Sequence, residues 1–163
     1  MEVEIGRGKK ARRAYGFDDI AIVPSRRTRD PDDVDISWTL GPYRFELPLL
    51  GSAMDGVISP QTATIIGREG GLGVLNLEGI FTRYEDAEDQ LARIAQLPKE
   101  EATREMQTIY QEPVKDELIV QRIQEIKASG VVTAASLTPQ KVRKYCDLAL
   151  EAGLDILVIQ GTV

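Results

Sequence analysis

The chain has no histidine and one cysteine, Cys146, among its 163 residues. Without histidine, no Ser-His or Cys-His relay and no histidine-bound metal can be assembled from this chain, so any general base in it is a carboxylate, Lys, Arg or Tyr. A lone cysteine cannot close an internal disulfide and gives no sign of an oxidising compartment. Long apolar runs are missing as well. Nothing approaches the roughly 18 consecutive apolar residues of a membrane span, and the opening MEVEIGRGKKARR lacks the apolar core of a secretory signal. These absences predict a soluble, cytoplasmic protein with no membrane partner. Positive charge is also scarce: the net charge of -6 argues against a general nucleic-acid binder, which needs a cationic surface to displace phosphate counterions. The exception is residues 1–29, where eight bases face four acids. This stretch reads as a solvated arm in preference to an anion site.

What is present is a chain 42% hydrophobic and 28% charged, long enough for one domain with a sizeable core. An apolar run, FDDIAIV at 17–23, ends at Pro24 and leads into RRTRDPDDVD, whose Pro and Asp content marks an exposed loop. Residues 1–46 are therefore expected to form an arm and a segment ahead of the core. From Leu47 the pattern becomes regular. LPLLG reads as a buried strand, Ser59 as an N-cap, Pro60 as a first helical position, and Gly70-Gly71 as a helix end before the strand LGVLN. Thr82 and Glu85 have capping-box spacing ahead of a helix with Ala87, Leu91, Ile94 and Ala95 on one face.

Pro98 and Pro113 bracket a polar helix, followed by an amphipathic one with Leu118, Ile119, Arg122, Ile123 and Ile126 on one side; residues 97–130 read as a helical insertion. VVTAASL is a third strand, Thr138-Pro139 opens a helix closed by Gly153, and DILVIQ is a fourth strand. In VRKYCDLALEAG, Val142, Cys146 and Ala149 share a face, so Cys146 is expected to be core and not a nucleophile.

Strand-helix alternation implies parallel crossovers, hence an α/β domain that is either an open doubly wound sheet or part of a (β/α)8 barrel. A whole barrel takes about 250 residues, so four strands in this length suggest its N-terminal half, with 47–96 holding two β/α units and 131–163 the third unit and fourth strand. Both architectures place binding residues at the carboxyl ends of strands. Those ends are GSAMDG at 51–56, NLEG at 76–79, SLTP at 136–139 and QGT at 160–162.

FDDIAIVPS at 17–25, PLLGSAMDGV at 48–57 and GREGGLGVLN at 67–76 together resemble the IMP dehydrogenase and GMP reductase family, in order and spacing as well as in residues. The resemblance continues through AGLDILVIQGT at 152–162. It implies a (β/α)8 barrel that binds a purine nucleotide, IMP or GMP, and works with NAD, or with NADP in the reductases. In the dehydrogenases a cysteine on a later loop attacks C2 of IMP, hydride passes to NAD, and water releases XMP. Ser52 and Met54 match family positions that contact the nucleotide. A hydroxyl suits ribose or phosphate oxygens, and a thioether suits a purine face. Asp55 is expected to hold the turn.

Asn76 stands where many members carry a histidine, and Gln160, Gly161 and Thr162 stand where the dehydrogenases commonly carry Asp-Ser-Ser at the cofactor's edge; the resemblance assigns these four to the cofactor side. The insertion occupies the place of a tandem pair of CBS regulatory domains, as in the shorter dehydrogenase-related branch that lacks them. No regulation by adenine nucleotides through such modules is expected. The resemblance further implies a homotetramer for the intact protein and an inactive chain 1–163, since neither nucleophile nor hydrolytic base lies within it. Two other readings stay open, a GMP reductase and a non-catalytic purine-nucleotide-binding barrel.

Overall fold

A computed structural model describes residues 2–24 and 29–161. The chain divides into two compact units, the first ending at Asp35 and the second starting at Ile36. In the first, strand β1 (Glu2–Glu4) pairs antiparallel with β2 (Lys10–Arg12). Gly6 and Gly8 between them both take positive φ, 69° and 71°, the region glycine enters without steric penalty. Register sets Glu2 opposite Arg12 and Glu4 opposite Lys10, so the arm expected from composition carries a charge-paired hairpin. Phe17–Asp19 forms one 3-10 turn, closed by the Gly16 N–H donating to Asp19 at 2.9 Å.

The second unit holds the remaining strands and all five α-helices among the described residues. A hairpin of β3 (Trp38–Leu40) and β4 (Tyr43–Phe45) turns at Gly41, φ 57°. Four parallel strands follow: β5 (Leu50–Gly51), β6 (Leu72–Asn76), β7 (Ala134–Leu137) and β8 (Ile156–Ile159), paired in the order β5-β6-β7-β8. Five helices connect them: α1 (Pro60–Arg68), α2 (Ala87–Ala95), α3 (Lys99–Ile109), α4 (Asp116–Ala128) and α5 (Pro139–Glu151).

The helix boundaries follow from local chemistry. Ser59 Oγ accepts the Thr62 N–H at 3.1 Å while Thr62 Oγ1 accepts the Ser59 N–H at 2.6 Å, a reciprocal cap with Pro60 as first helical residue. Gly70, Gly130 and Gly153 end α1, α4 and α5 with φ of 87°, 82° and 98°. One expected start is displaced. Thr82 does not cap a helix; it is fully buried in a 3-10 turn, Ile80–Thr82, and donates to the carbonyls of Leu77 (2.9 Å) and Gly79 (3.2 Å). Helix α2 begins only at Ala87.

Two apolar clusters divide the sheet's faces. Leu75, Leu77, Ala135 and Leu137 pack with Ile58, Ile94, Ile119, Ile123, Ile126 and Ala149 from the helical side. Leu72, Val74 and Ala134 face the other way and meet Phe45, with Trp38, Val132, Ile156 and Val158 around them. Trp38 stacks on Phe45 with ring centroids 4.6 Å apart, and its indole N–H donates to the Leu47 carbonyl at 2.9 Å. The hairpin thus floors one face while the helices cover the other. A doubly wound sheet has helices on both faces and a reversal of strand order. Sequential order with helices on one face is the arrangement of an arc of a (β/α)8 barrel, with strands β5 to β8 as its first four.

Candidate functional site

Strand alternation fixes what the inner face presents at its carboxyl end. Leu72 and Val74 face inward, so Asn76 does too; Ala134 leads to Ser136, and Ile156 and Val158 lead to Gln160. On β5, a Cβ at Gly51 would sit 2.4 Å from Ile58 and 3.0 Å from Ile66 on the helical side, which turns Ser52 inward. The register Asn76↔Ser136↔Val158 aligns these strand ends. The inner face is therefore apolar where the chain enters the strands and polar where it leaves, with Ser52, Asn76 and Gln160 along the rim and Ser136 beneath it.

Ser52 and Met54 lie together on the turn that follows β5. Met54 N donates to the Ser52 carbonyl at 2.8 Å, and the Met54 carbonyl accepts from Val57 and Ile58, both at 2.9 Å. Both side chains are open to solvent, Met54 at 54%. Gln160 and Gly161 are exposed at the end of β8, where the Gln160 N–H donates to the Leu137 carbonyl at 2.9 Å. Thr162 lies outside the described residues.

Asp55 anchors this turn from beneath, as the sequence suggested. It is 8% exposed, and its Oδ2 accepts the Ile80 N–H at 2.7 Å and the Tyr110 hydroxyl. A long contact of 3.5 Å joins Asn76 Nδ2 to its Oδ1, while Asn76 Oδ1 accepts the Glu78 N–H at 3.0 Å. Both ends of the Asn76 amide are thus directed at the loops around the rim. Gly79 is required here, because a Cβ would fall 1.8 Å from Asp55 Oδ1. Burial first, then the hydrogen bond to Asp55 and its charge, push the Tyr110 phenol well above its usual range, with Arg83 pulling it partly back. The phenol therefore remains a proton donor at neutral pH.

Arg83 ties the neighbouring segments together. Its Nε and Nη2 donate to the Glu78 carbonyl at 3.2 and 2.9 Å, and its Nη1 to the carbonyls of Tyr110 (3.2 Å) and Glu112. Glu78 in turn accepts the Thr138 N–H at 2.6 Å, placing a carboxylate at the start of α5, where the helix dipole favours it. A cavity of about 590 Å³ opens on the helical side, lined by Arg68, Glu88 and Arg122 among others, away from the polar rim.

Of the residues expected from sequence, Ser52, Met54, Asn76 and Gln160 share this rim. Sequence reasoning named the strand end at 136–139 without singling out Ser136, and it missed Arg83 and Tyr110. Ser136 was visible as the polar inward position of VVTAASL, whereas Tyr110 is 55 residues from Asp55 and has no local signal.

The model of the IMP dehydrogenase / GMP reductase domain matches residues 14–162. An uncharacterized oxidoreductase of Mycolicibacterium smegmatis is 41% identical over 99% of this chain and 44% of its own length. The inosine-5'-monophosphate dehydrogenase of Methanocaldococcus jannaschii is 37% identical over 67 residues, 41% of this chain and 14% of that protein. Among solved structures, an IMP dehydrogenase/GMP reductase-like protein from Corynebacterium glutamicum superposes with a TM-score of 0.83 at 40% identity, covering 99% of this chain and 45% of the other. The chain thus spans less than half the length of the full-coverage relatives.

Proposed function

The chain belongs to the IMP dehydrogenase / GMP reductase family, and from that premise we propose that it forms the nucleotide-holding part of an IMP dehydrogenase-like oxidoreductase that converts IMP, NAD and water to XMP and NADH in the cytoplasm. The observation that carries this reading is the polar rim above an apolar floor, with Ser52 and Met54 exposed on one turn whose buried Asp55 fixes its shape. Ser52 donates to a ribose or phosphate oxygen, and Met54 lies against the purine face. Ser136, aligned with Asn76 on the same face, is only 2% exposed and lies beneath the rim.

The nicotinamide cofactor accepts hydride when bound. The end of β8 suits its edge: a Cβ at Gly161 would meet nothing within 4 Å, and Gln160 offers an exposed amide. Asn76, with its amide turned to Asp55 and Glu78, contributes by holding the rim more than by touching the cofactor. Cys146, the one cysteine, sits half-buried on α5, outside the inner face. It is no candidate for the attack on C2.

The test is a steady-state assay of the full-length protein. NADH formation from IMP is the expected result. Consumption of NADPH with GMP would transfer the same site to the reductase reaction, and binding of either nucleotide without turnover would make it a non-catalytic barrel. Ser52→Ala is expected to raise the KM for IMP about tenfold, the value of one hydrogen bond to an anionic oxygen. An unchanged KM removes Ser52 from the site.

A further inference from the structure

Three segments far apart in sequence meet on one carboxylate. Asp55 belongs to the turn after β5, Ile80 to the loop after β6, and Tyr110 to the residue just past α3. The first two would meet in any parallel pair of strands, since consecutive strand ends are neighbours. The third requires α3, which lies in the crossover between β6 and β7 in addition to α4.

Helix α3 is fastened so that its end cannot drift. Ile109 is 3% exposed in the helical-side core, and Ala102 and Met106 of the same helix pack against that cluster. Arg83 bonds the main chain at Tyr110 and Glu112, and its guanidinium lies 5.3 Å from the centre of the Tyr110 ring. The ring is therefore held at its backbone and over its face, with its hydroxyl delivered to Asp55.

We propose that Tyr110 is a positioning residue for the nucleotide turn: its hydroxyl fixes the Asp55 carboxylate, and through it the placement of Ser52 and Met54. The proposal rests on the reading of Ser52 and Met54 given above. Without the hydroxyl, a buried carboxylate keeps one short donor, the Ile80 N–H, and draws compensation from water or from a shift of the turn. Either response moves residues within three positions of Asp55. Substrate affinity then depends on a segment that touches no substrate.

A neighbouring tyrosine separates positioning from simple support of the helix. Tyr84 donates its hydroxyl to the Ile109 carbonyl at 3.4 Å, holding the same end of α3 without reaching the turn. In the full-length protein, Tyr110→Phe is expected to weaken IMP binding about tenfold by titration calorimetry, the low end for a hydrogen bond to a charged group. Tyr84→Phe is expected to bind as the wild type does. In the ligand-free protein, hydrogen exchange at Met54, Val57, Ile58 and Ile80 should accelerate in Tyr110→Phe alone. Equal IMP affinity of Tyr110→Phe and wild type, unchanged exchange at those amides, or the same loss in both variants overturns the proposal. Faster exchange in a protein that binds neither IMP nor GMP in its wild-type form overturns the nucleotide reading, and the positioning role with it, while leaving the hydrogen bond intact.

Discussion

Asp155 shows how much one side chain can hold at the opposite end of the sheet from the rim. Its carboxylate accepts from Lys127 Nζ at 2.6 Å, the Thr133 N–H at 2.9 Å and the Tyr43 hydroxyl at 3.1 Å, joining α4, the start of β7 and the β3–β4 hairpin. Burial alone would raise its pKa; the bonds from Lys127, Thr133 and Tyr43, with the charge of Lys127, outweigh that and hold the carboxyl below its usual range. A depressed folded-state pKa contributes stability that is complete above the unfolded value, about 3.9, and is lost as pH falls through the folded one. Asp155→Asn is therefore expected to cost about 1–3 kcal/mol at neutral pH. In urea unfolding the deficit should narrow below about pH 4; a gap that stays constant with pH would assign the loss to packing. At this scale the sequence was legible for Asp55 and less so for Cys146. Val142 and Ala149 do face the core, but Tyr145, 3% exposed, takes the buried place and leaves its neighbour Cys146 only half-buried. One step around a helix is about 100°, enough for a large ring to displace a small thiol from the interior.

Helix α1 lies so close on β6 that a Cβ at Gly73 would fall 2.6 Å from the Ala63 Cα and 3.0 Å from its Cβ. Backbone cannot yield as a side-chain tip can, so Gly73→Ala must lift the helix from the sheet, at about 1–3 kcal/mol. A fall in thermal midpoint with unchanged nucleotide affinity is expected, because Gly73 faces away from the rim; a neutral substitution would show the contact to be looser than described. Helix α4 packs between α1 and α5 with Leu118, Ile119, Ile123 and Ile126 buried. Its Arg122 is buried too, and donates to the carbonyls of Phe81 (3.1 Å), Tyr84 (3.3 Å) and Glu85 (2.9 Å) while pairing with Glu125. We propose that α4 is the barrel's own crossover helix and that α2 and α3 are the additional elements of this connection, a segment that starts ahead of the expected 97–130 and ends before α4. Most elements were legible because their ends carry local chemistry: Ser59-Pro60 and Thr138-Pro139 at starts, Gly70, Gly130 and Gly153 at stops. The β3–β4 hairpin was not legible, since its three-residue strands owe their stability to Trp38 and Phe45 entering the inner cluster. Thr82 misled for a related reason: a capping-box spacing cannot reveal that the hydroxyl will be buried against Leu77 and Gly79.

In the molecule as a whole, the rim was readable from alternation once strands were recognised, whereas the brace from Tyr110 depends on tertiary closure that no local pattern encodes. The same alternation bears on the 163-residue chain taken alone. Among the described residues, β5 and β8 each have a strand partner on one side only. Near those edges Leu49, Leu50, Met54 and Ile159 are 48%, 57%, 54% and 60% exposed, and the inner-face residues Val132, Ile156 and Val158 are only partly covered. Unpaired parallel edges beside apolar surface favour pairing with another sheet. The net charge of -6 opposes it. These two effects respond oppositely to salt, since screening removes the repulsion between chains at distances beyond about 8–10 Å and leaves apolar burial in place. Purified 1–163 is therefore expected to self-associate in sedimentation velocity, more so as salt rises, and to form no NADH from IMP and NAD. A species that stays monomeric at every salt concentration would mean that the exposed edges are protected in a way this architecture does not provide, and measurable NADH formation would place the reacting groups within these 163 residues.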